Sequence, residues 1–158
     1  MVFLDELYQE IIIDHSNSPR NEGELERPTH SAEAYNATCG DELVLHLSVV
    51  EGNLQAIRFR AQGCSIVKAS ASMMGEKVQT MTVAKALAFS KKIQALLNGE
   101  VSDILGDGEL GELVSLLGVR QFPMRVKCAT LPWHALDNAL KSRDVLPPET
   151  PYPRSKEL

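Results

Sequence analysis

Cysteine, aromatic and basic residues are all in short supply in this 158-residue chain, which has three Cys, four Phe, three Tyr and one Trp. A few cysteines, and an odd number of them, argue against a secreted disulfide scaffold. A chain of this length buries about two thirds of its unfolded surface, so it needs no covalent staples. The longest run free of Asp, Glu, Lys and Arg is Cys128 to Leu136, too short to span a bilayer. The start, Met1-Val2-Phe3-Leu4-Asp5-Glu6, lacks the basic opening and apolar run of a signal peptide. Sixteen Lys plus Arg against 21 Asp plus Glu leave a net charge of -5, and with so few stacking aromatics this excludes a nucleic-acid surface. What remains is one ordinary domain, expected in the cytoplasm, whose reduced thiols are available for metal or sulfur chemistry.

Hydrophobic periodicity orders the chain. Leu4, Leu7, Tyr8, Ile11, Ile12 and His15 recur at helical spacing, which predicts an amphipathic helix over 3–15 that ends before Pro19. The period changes to two over 42–50 and 54–62, with Glu51-Gly52-Asn53 as the turn between two strands. If that turn centres on Gly52, Leu43 faces Ala61, Leu45 faces Phe59 and Leu47 faces Ile57, all apolar on one face. Residues 34–38 offer a third strand. Ile66, Ala69, Ser70 and Met73 stripe a helix beyond Cys64, Thr82 caps an Ala-rich one, and Gly99 stops it. A short helix is expected around 110–117. A last one runs from Pro123 to about Arg143, with Pro132 kinking or restarting it. Residues 1–143 form the domain, and 144–158 are a Pro-rich tail expected to be mobile.

The same register carries chemistry. It sets Asp41 opposite Gly63, so Cys39, Asp41 and Cys64 meet at the open end of one hairpin. Gly40 lets the backbone between Cys39 and Asp41 turn tightly. Cys64 stands at a strand-to-helix junction, where unpaired backbone N–H groups and the helix dipole stabilise a thiolate. Cys128 lies on the last helix with Arg125 and Lys127 beside it, cations that would offset clustered anions. Three thiolates and one carboxylate make a tetrahedral set whose softness suits zinc or iron, and the harder aspartate oxygen is the exchangeable member. Each residue also has a structural reading. Cys128 fits a small buried hydrophobe, Asp41 a turn residue, and Arg125 and Lys127 a solvated face. His15, His30, His46 and His134 show no metal spacing and read as structural, and Met73, Met74 and Met81 as core filler.

Four blocks in order carry a resemblance: Leu7-Tyr8-Gln9-Glu10-Ile11-Ile12-Ile13-Asp14-His15 with Pro19-Arg20-Asn21, then Asn36-Ala37-Thr38-Cys39-Gly40-Asp41, Gly63-Cys64-Ser65-Ile66, and Ala69-Ser70-Ala71-Ser72. From about Phe3 to Leu140 the chain resembles the IscU/NifU-type iron-sulfur cluster assembly proteins. Two departures point within that family. Lys127 stands before Cys128 where IscU-type scaffolds carry a histidine. The stretch 99–122 looks like an insertion, and no Leu-Pro-Pro-Val-Lys chaperone motif precedes the last helix. Both features resemble the SufU branch, which binds zinc and works with a SufS-type cysteine desulfurase.

The resemblance implies an α+β fold, a small antiparallel sheet packed by helices. It also implies Cys39, Asp41, Cys64 and Cys128 as metal ligands, with Cys39 the acceptor of persulfide sulfur. Zinc is the implied cofactor, with iron or an iron-sulfur cluster as the alternative. Two roles follow from it: a sulfurtransferase-like relay passing sulfur to a cluster scaffold or apo-acceptor, or a non-enzymatic scaffold on which a cluster is assembled. The missing histidine favours relay. Outside the family stand a zinc-stabilised interaction module and a cysteine hydrolase, whose histidine base no spacing supplies.

Overall fold

The computed structural model describes residues 2–100 and 109–141, so the Pro-rich tail at 144–158 lies outside the described residues. The order is helix α1 (Val2–Asn17), strands β1 (His30–Asn36), β2 (Asp41–Val50) and β3 (Asn53–Gln62), then helices α2 (Ser65–Val78) and α3 (Val83–Leu97). A 3-10 segment, Gly111–Gln121, and helix α4 (Pro123–Lys141) complete it. The three strands form one antiparallel sheet in the order β1-β2-β3.

Alternation builds that sheet as expected. Leu43 pairs with Ala61, Leu45 with Phe59 and Leu47 with Ile57. Leu43, Leu45, Leu47, Ile57 and Phe59 are at most 1% exposed, and each such side chain contributes about 1.5–3 kcal/mol of transfer free energy. A one-residue slip would turn all of them to the opposite face. The register shifts between Ser48 and Val49, so the pairs nearest the Glu51-Gly52 turn depart from the Gly52-centred count. That irregularity is confined to the closed end and leaves the Asp41 end in the predicted register.

The third strand begins earlier than the sequence reading placed it. It runs His30–Asn36, with Ala32 opposite Leu45 and Ala34 opposite Leu43, and residues 37–40 turn instead of extending. Alanine carries a weak strand signal; packing under α4, which lies across β1 and β2, selects it here. The turn at 37–40 closes through Gly40 N–H to Asn36 O at 2.8 Å, with Gly40 at φ +72°.

Helix α2 is buried beyond the predicted stripe: Val67, Ala69, Ser70, Ala71, Ser72, Met73, Met74, Gly75 and Val78 are all covered, while Ile66 is only half-buried. It packs against α1, α4 and β3, and small side chains permit this crowding. Thr82 caps α3, its hydroxyl accepting Lys85 N–H at 3.1 Å. Pro132 does not restart the last helix, since α4 is continuous from Pro123 to Lys141. Its neighbourhood is held from α2: the Ser70 hydroxyl donates to Ala129 O at 2.6 Å and accepts the Trp133 indole N–H at 3.1 Å. A helix buried on several sides keeps its path through proline when neighbours fix the flanking turns.

The described end of the insertion belongs to the core. Leu110, Leu113, Leu116, Leu117 and Val119 are buried, and the 3-10 segment packs on α1, α2, α3 and α4.

Candidate metal centre

The open end of the hairpin gathers the predicted residues. Asp41 opens β2, Cys39 sits two residues earlier in the turn after β1, and Cys64 is the N-cap of α2. Cys128 reaches the same place from the second turn of α4, one of the helices covering the sheet. The Cys39 and Cys128 sulfurs are 3.6 Å apart. Cys39, Asp41 and Cys128 each offer a ligand atom within 4.8 Å of the other two. Cys64 joins this group through Asp41: its backbone N–H donates to Asp41 Oδ1 at 3.0 Å and its Sγ lies 4.0 Å from Oδ2. All three cysteines are free thiols, with Cys39 exposed, Cys64 half-buried and Cys128 buried.

A dication fits this donor set. Two sulfurs bound tetrahedrally at a zinc–sulfur length of about 2.3 Å stand about 3.8 Å apart, close to the observed separation. Asp41 is fully buried, and its carboxylate meets sulfur and one backbone N–H; among the described residues no side-chain cation is paired with it. Burial drives the Cys128 thiol well above its ordinary pKa, and hydrogen bonds with Asp41, Cys64 and Cys39, together with the charge at Cys64, push it the same way. Several anions cannot share so small a volume unless protons or a metal offset them.

Arg125 and Lys127 are the cations beside Cys128 in sequence. Both are exposed, and the Arg125 guanidinium lies over the Phe122 ring, 4.8 Å from its centroid. Arg125 and Phe122 border a groove of about 420 Å³ between α1, the start of α2 and the 3-10 segment, lined also by Tyr8, Ile12, Ile13 and Ser65.

The sequence reading left the importance of Gly63 unused. A Cβ at Gly63 would lie 2.1 Å from Asp41 Oδ1, and its φ is +139°. The signal was present in the register, which set Gly63 opposite Asp41. Of the histidines read as structural, His15 is wholly buried, with Nδ1 2.7 Å from the Ser72 hydroxyl and Nε2 2.7 Å from Glu112 Oε1. No spacing signals that partnership, because Glu112 arrives from the insertion.

A hairpin-end cluster of thiols and aspartate under one covering helix defines the class of protein, and comparison with known families agrees. Residues 7–140 match the NifU-like N terminal domain, and the chain belongs to that family. Among its relatives is the zinc-dependent sulfurtransferase SufU of Bacillus subtilis (strain 168), 37% identical over 141 residues, covering 89% of this chain and 94% of the relative. The iron-sulfur cluster assembly scaffold protein IscU of Streptococcus pyogenes serotype M1 is 36% identical over 138 residues, covering 87% and 85%. Of solved structures, a cluster assembly scaffold protein for the SUF system from Fervidobacterium islandicum AW-1 superposes with a TM-score of 0.78. It is 32% identical, covering 84% of this chain and 95% of that one. Among the described residues, no helix is long and apolar enough to cross a membrane.

Proposed function

We propose that this protein is an iron-sulfur cluster assembly protein that accepts persulfide sulfur from a cysteine desulfurase, of SufS type, at Cys39 and passes it to a downstream scaffold or apo-acceptor in the cytoplasm. The observation that carries this reading is the graded access of the thiols. Cys39 is exposed at the rim of the cluster while its neighbour at 3.6 Å, Cys128, is buried, so only the first offers its sulfur to a large partner.

Cys39, Asp41, Cys64 and Cys128 would hold zinc. A bound dication offsets the charge of the set and favours thiolates at neutral pH. The residues themselves then divide the work. Buried Asp41 and Cys128 would hold the ion from the protein side, Cys64 N–H orients the Asp41 carboxylate, and Gly40 gives the Cys39 turn its path. In the transfer, the Cys39 thiolate attacks the terminal sulfur of the partner's persulfide. The new bond joins the two sulfurs, the old S–S bond breaks, and the partner's cysteine leaves as thiolate, with no net oxidation.

The protein incubated with desulfurase and cysteine, then analysed by mass spectrometry without reductant, should carry one additional sulfur on Cys39. Cys39→Ser should abolish both the adduct and the stimulation of desulfurase turnover; undiminished stimulation by the variant would overturn the assignment. The second reading, a scaffold holding a cluster on the same residues, is favoured by the sulfur-rich donor set. Anaerobic reconstitution with iron and sulfide separates the two: a stable, transferable chromophore supports the scaffold, and retained zinc supports relay.

A further inference from the structure

A second group of metal-ligating side chains lies away from the thiols. His15 of α1, Glu76 of α2 and Glu112 of the 3-10 segment offer ligand atoms that all lie within 4.8 Å of one another. Glu76 is twelve residues beyond Cys64, about 18 Å along the axis of α2, so the two groups share no ligand. We propose that His15, Glu76 and Glu112 form a second metal site, for a divalent first-row ion of the Mn(II) or Fe(II) kind.

The imidazole is prepared for this role. His15 is wholly buried, and the Ser72 hydroxyl meets Nδ1 at 2.7 Å while accepting Arg20 N–H at 2.9 Å. The ring is thus held from behind and Nε2 is directed at Glu112 Oε1, 2.7 Å away. An anchored far nitrogen is the usual support of a metal-bound histidine. With no ion bound, an Nε2–H donated to Glu112 pairs the two side chains; with an ion on Nε2 the ring proton would sit on Nδ1 and be donated to the Ser72 hydroxyl oxygen.

The charge around the group leaves room for a cation. The Arg20 guanidinium feels both glutamates, but it is bonded to Asp14 Oδ2 at 2.7 Å. Lys77 lies over the Phe89 ring, 5.5 Å from its centroid. Among the described residues, neither Glu76 nor Glu112 is ion-paired to a lysine or arginine. Both glutamates line an opening of about 130 Å³ together with Met73, Lys77 and Leu110, space enough for an ion and the waters completing its shell. One imidazole nitrogen and two carboxylates make a harder set than the thiolates, which is why the two sites would select different ions. Its three ligands come from three elements, so an ion there would clamp α1, α2 and the 3-10 segment together. These elements also border the groove lined by Ser65 and Ile66.

The test is a Mn(II) titration of the purified full chain, followed by loss of the free-ion electron paramagnetic resonance signal. One equivalent should bind. Glu76→Gln, at an exposed position, and the double variant Glu76→Gln/Glu112→Gln should each weaken binding by at least about tenfold, and Cys39→Ser should leave it unchanged. Glutamine at 112 keeps an acceptor for His15, and metal-free melting curves check that the double variant folds; the single variant decides if it does not. Failure of the wild type to take up Mn(II), equal uptake by Glu76→Gln, or loss of uptake in Cys39→Ser would each overturn the proposal. Because the readout needs no sulfur transfer, it is independent of the proposed relay.

Discussion

Replacing Gly63 with alanine should damage this protein by a route separable from ordinary glycine strain. The φ of +139° lies outside the region that L side chains adopt, and holding it costs about 1–3 kcal/mol. The added Cβ would also stand 2.1 Å from Asp41 Oδ1, 2.9 Å from Asp41 Cγ and 3.0 Å from Asp41 Cα. The carboxylate must therefore move, which breaks its bond from Cys64 N–H, a charged hydrogen bond contributing about 1.5–3 kcal/mol. Together these give a loss of about 2.5–6 kcal/mol, a large part of the stability of a domain this size. Gly40→Ala is the control. Its φ of +72° strains alanine, but no atom beyond its chain neighbours lies within 4 Å of the new Cβ, so the loss should be only about 1–2 kcal/mol. Urea unfolding of the metal-free variants reads both values. In an Asp41→Ala background the Gly63→Ala penalty should shrink by about the hydrogen-bond contribution, because the colliding carboxylate is gone. Zinc competition against a chromophoric chelator should show weakened affinity for Gly63→Ala and little change for Gly40→Ala. Equal losses at the two glycines, with a double-mutant cycle additive within about 0.5 kcal/mol, would refute the reasoning.

Ser70→Ala should orphan the Trp133 indole N–H in the core and remove the hydroxyl's bond to Ala129 O, which keeps its place in the α4 ladder, costing about 1–3 kcal/mol in urea unfolding; a neutral result would show that α4 is not tied to α2 at Pro132. His134 is held below its usual pKa by burial, with Asp137 partly opposing. The unfolded chain then takes up this proton first, so the contribution is complete above about pH 6.5 and is lost as pH falls towards the folded-state value. His134→Gln should flatten that acidic slope, and an unchanged slope would remove His134 as its source. Chelation should lower the melting temperature while preserving the far-ultraviolet circular dichroism, because the apolar core, of which Cys128 is one member, extends through the sheet, α2, α3, α4 and the 3-10 segment well beyond the metal ligands. Complete unfolding on chelation would instead mark a zinc-nucleated module.

The hairpin and the meeting of Cys39, Asp41 and Cys64 were legible in the residue order because side-chain alternation admits one register with Leu43, Leu45 and Leu47 inside. Helix boundaries at Thr82 and Gly99 were legible for a similar reason: capping chemistry is local, and the hydroxyl and the left-handed glycine act within one turn. Cys128 is different. Nothing local separates a cysteine on an apolar helix from core filler decisively, and only the family resemblance made it a ligand before the packing of α4 over β1 and β2 brought its sulfur to 3.6 Å from Cys39. The placement of β1 over His30–Asn36 likewise came from a covering helix, since Ala32 and Ala34 carry little strand preference of their own. Continuity through Pro132 depended on Ser70, fifty-nine positions before Ala129 in the chain. The His15–Glu112 pair joins residues ninety-seven positions apart. Patterns repeating every two or four residues are written in the order of side chains, whereas contacts across tens of residues exist only once burial has chosen which faces meet.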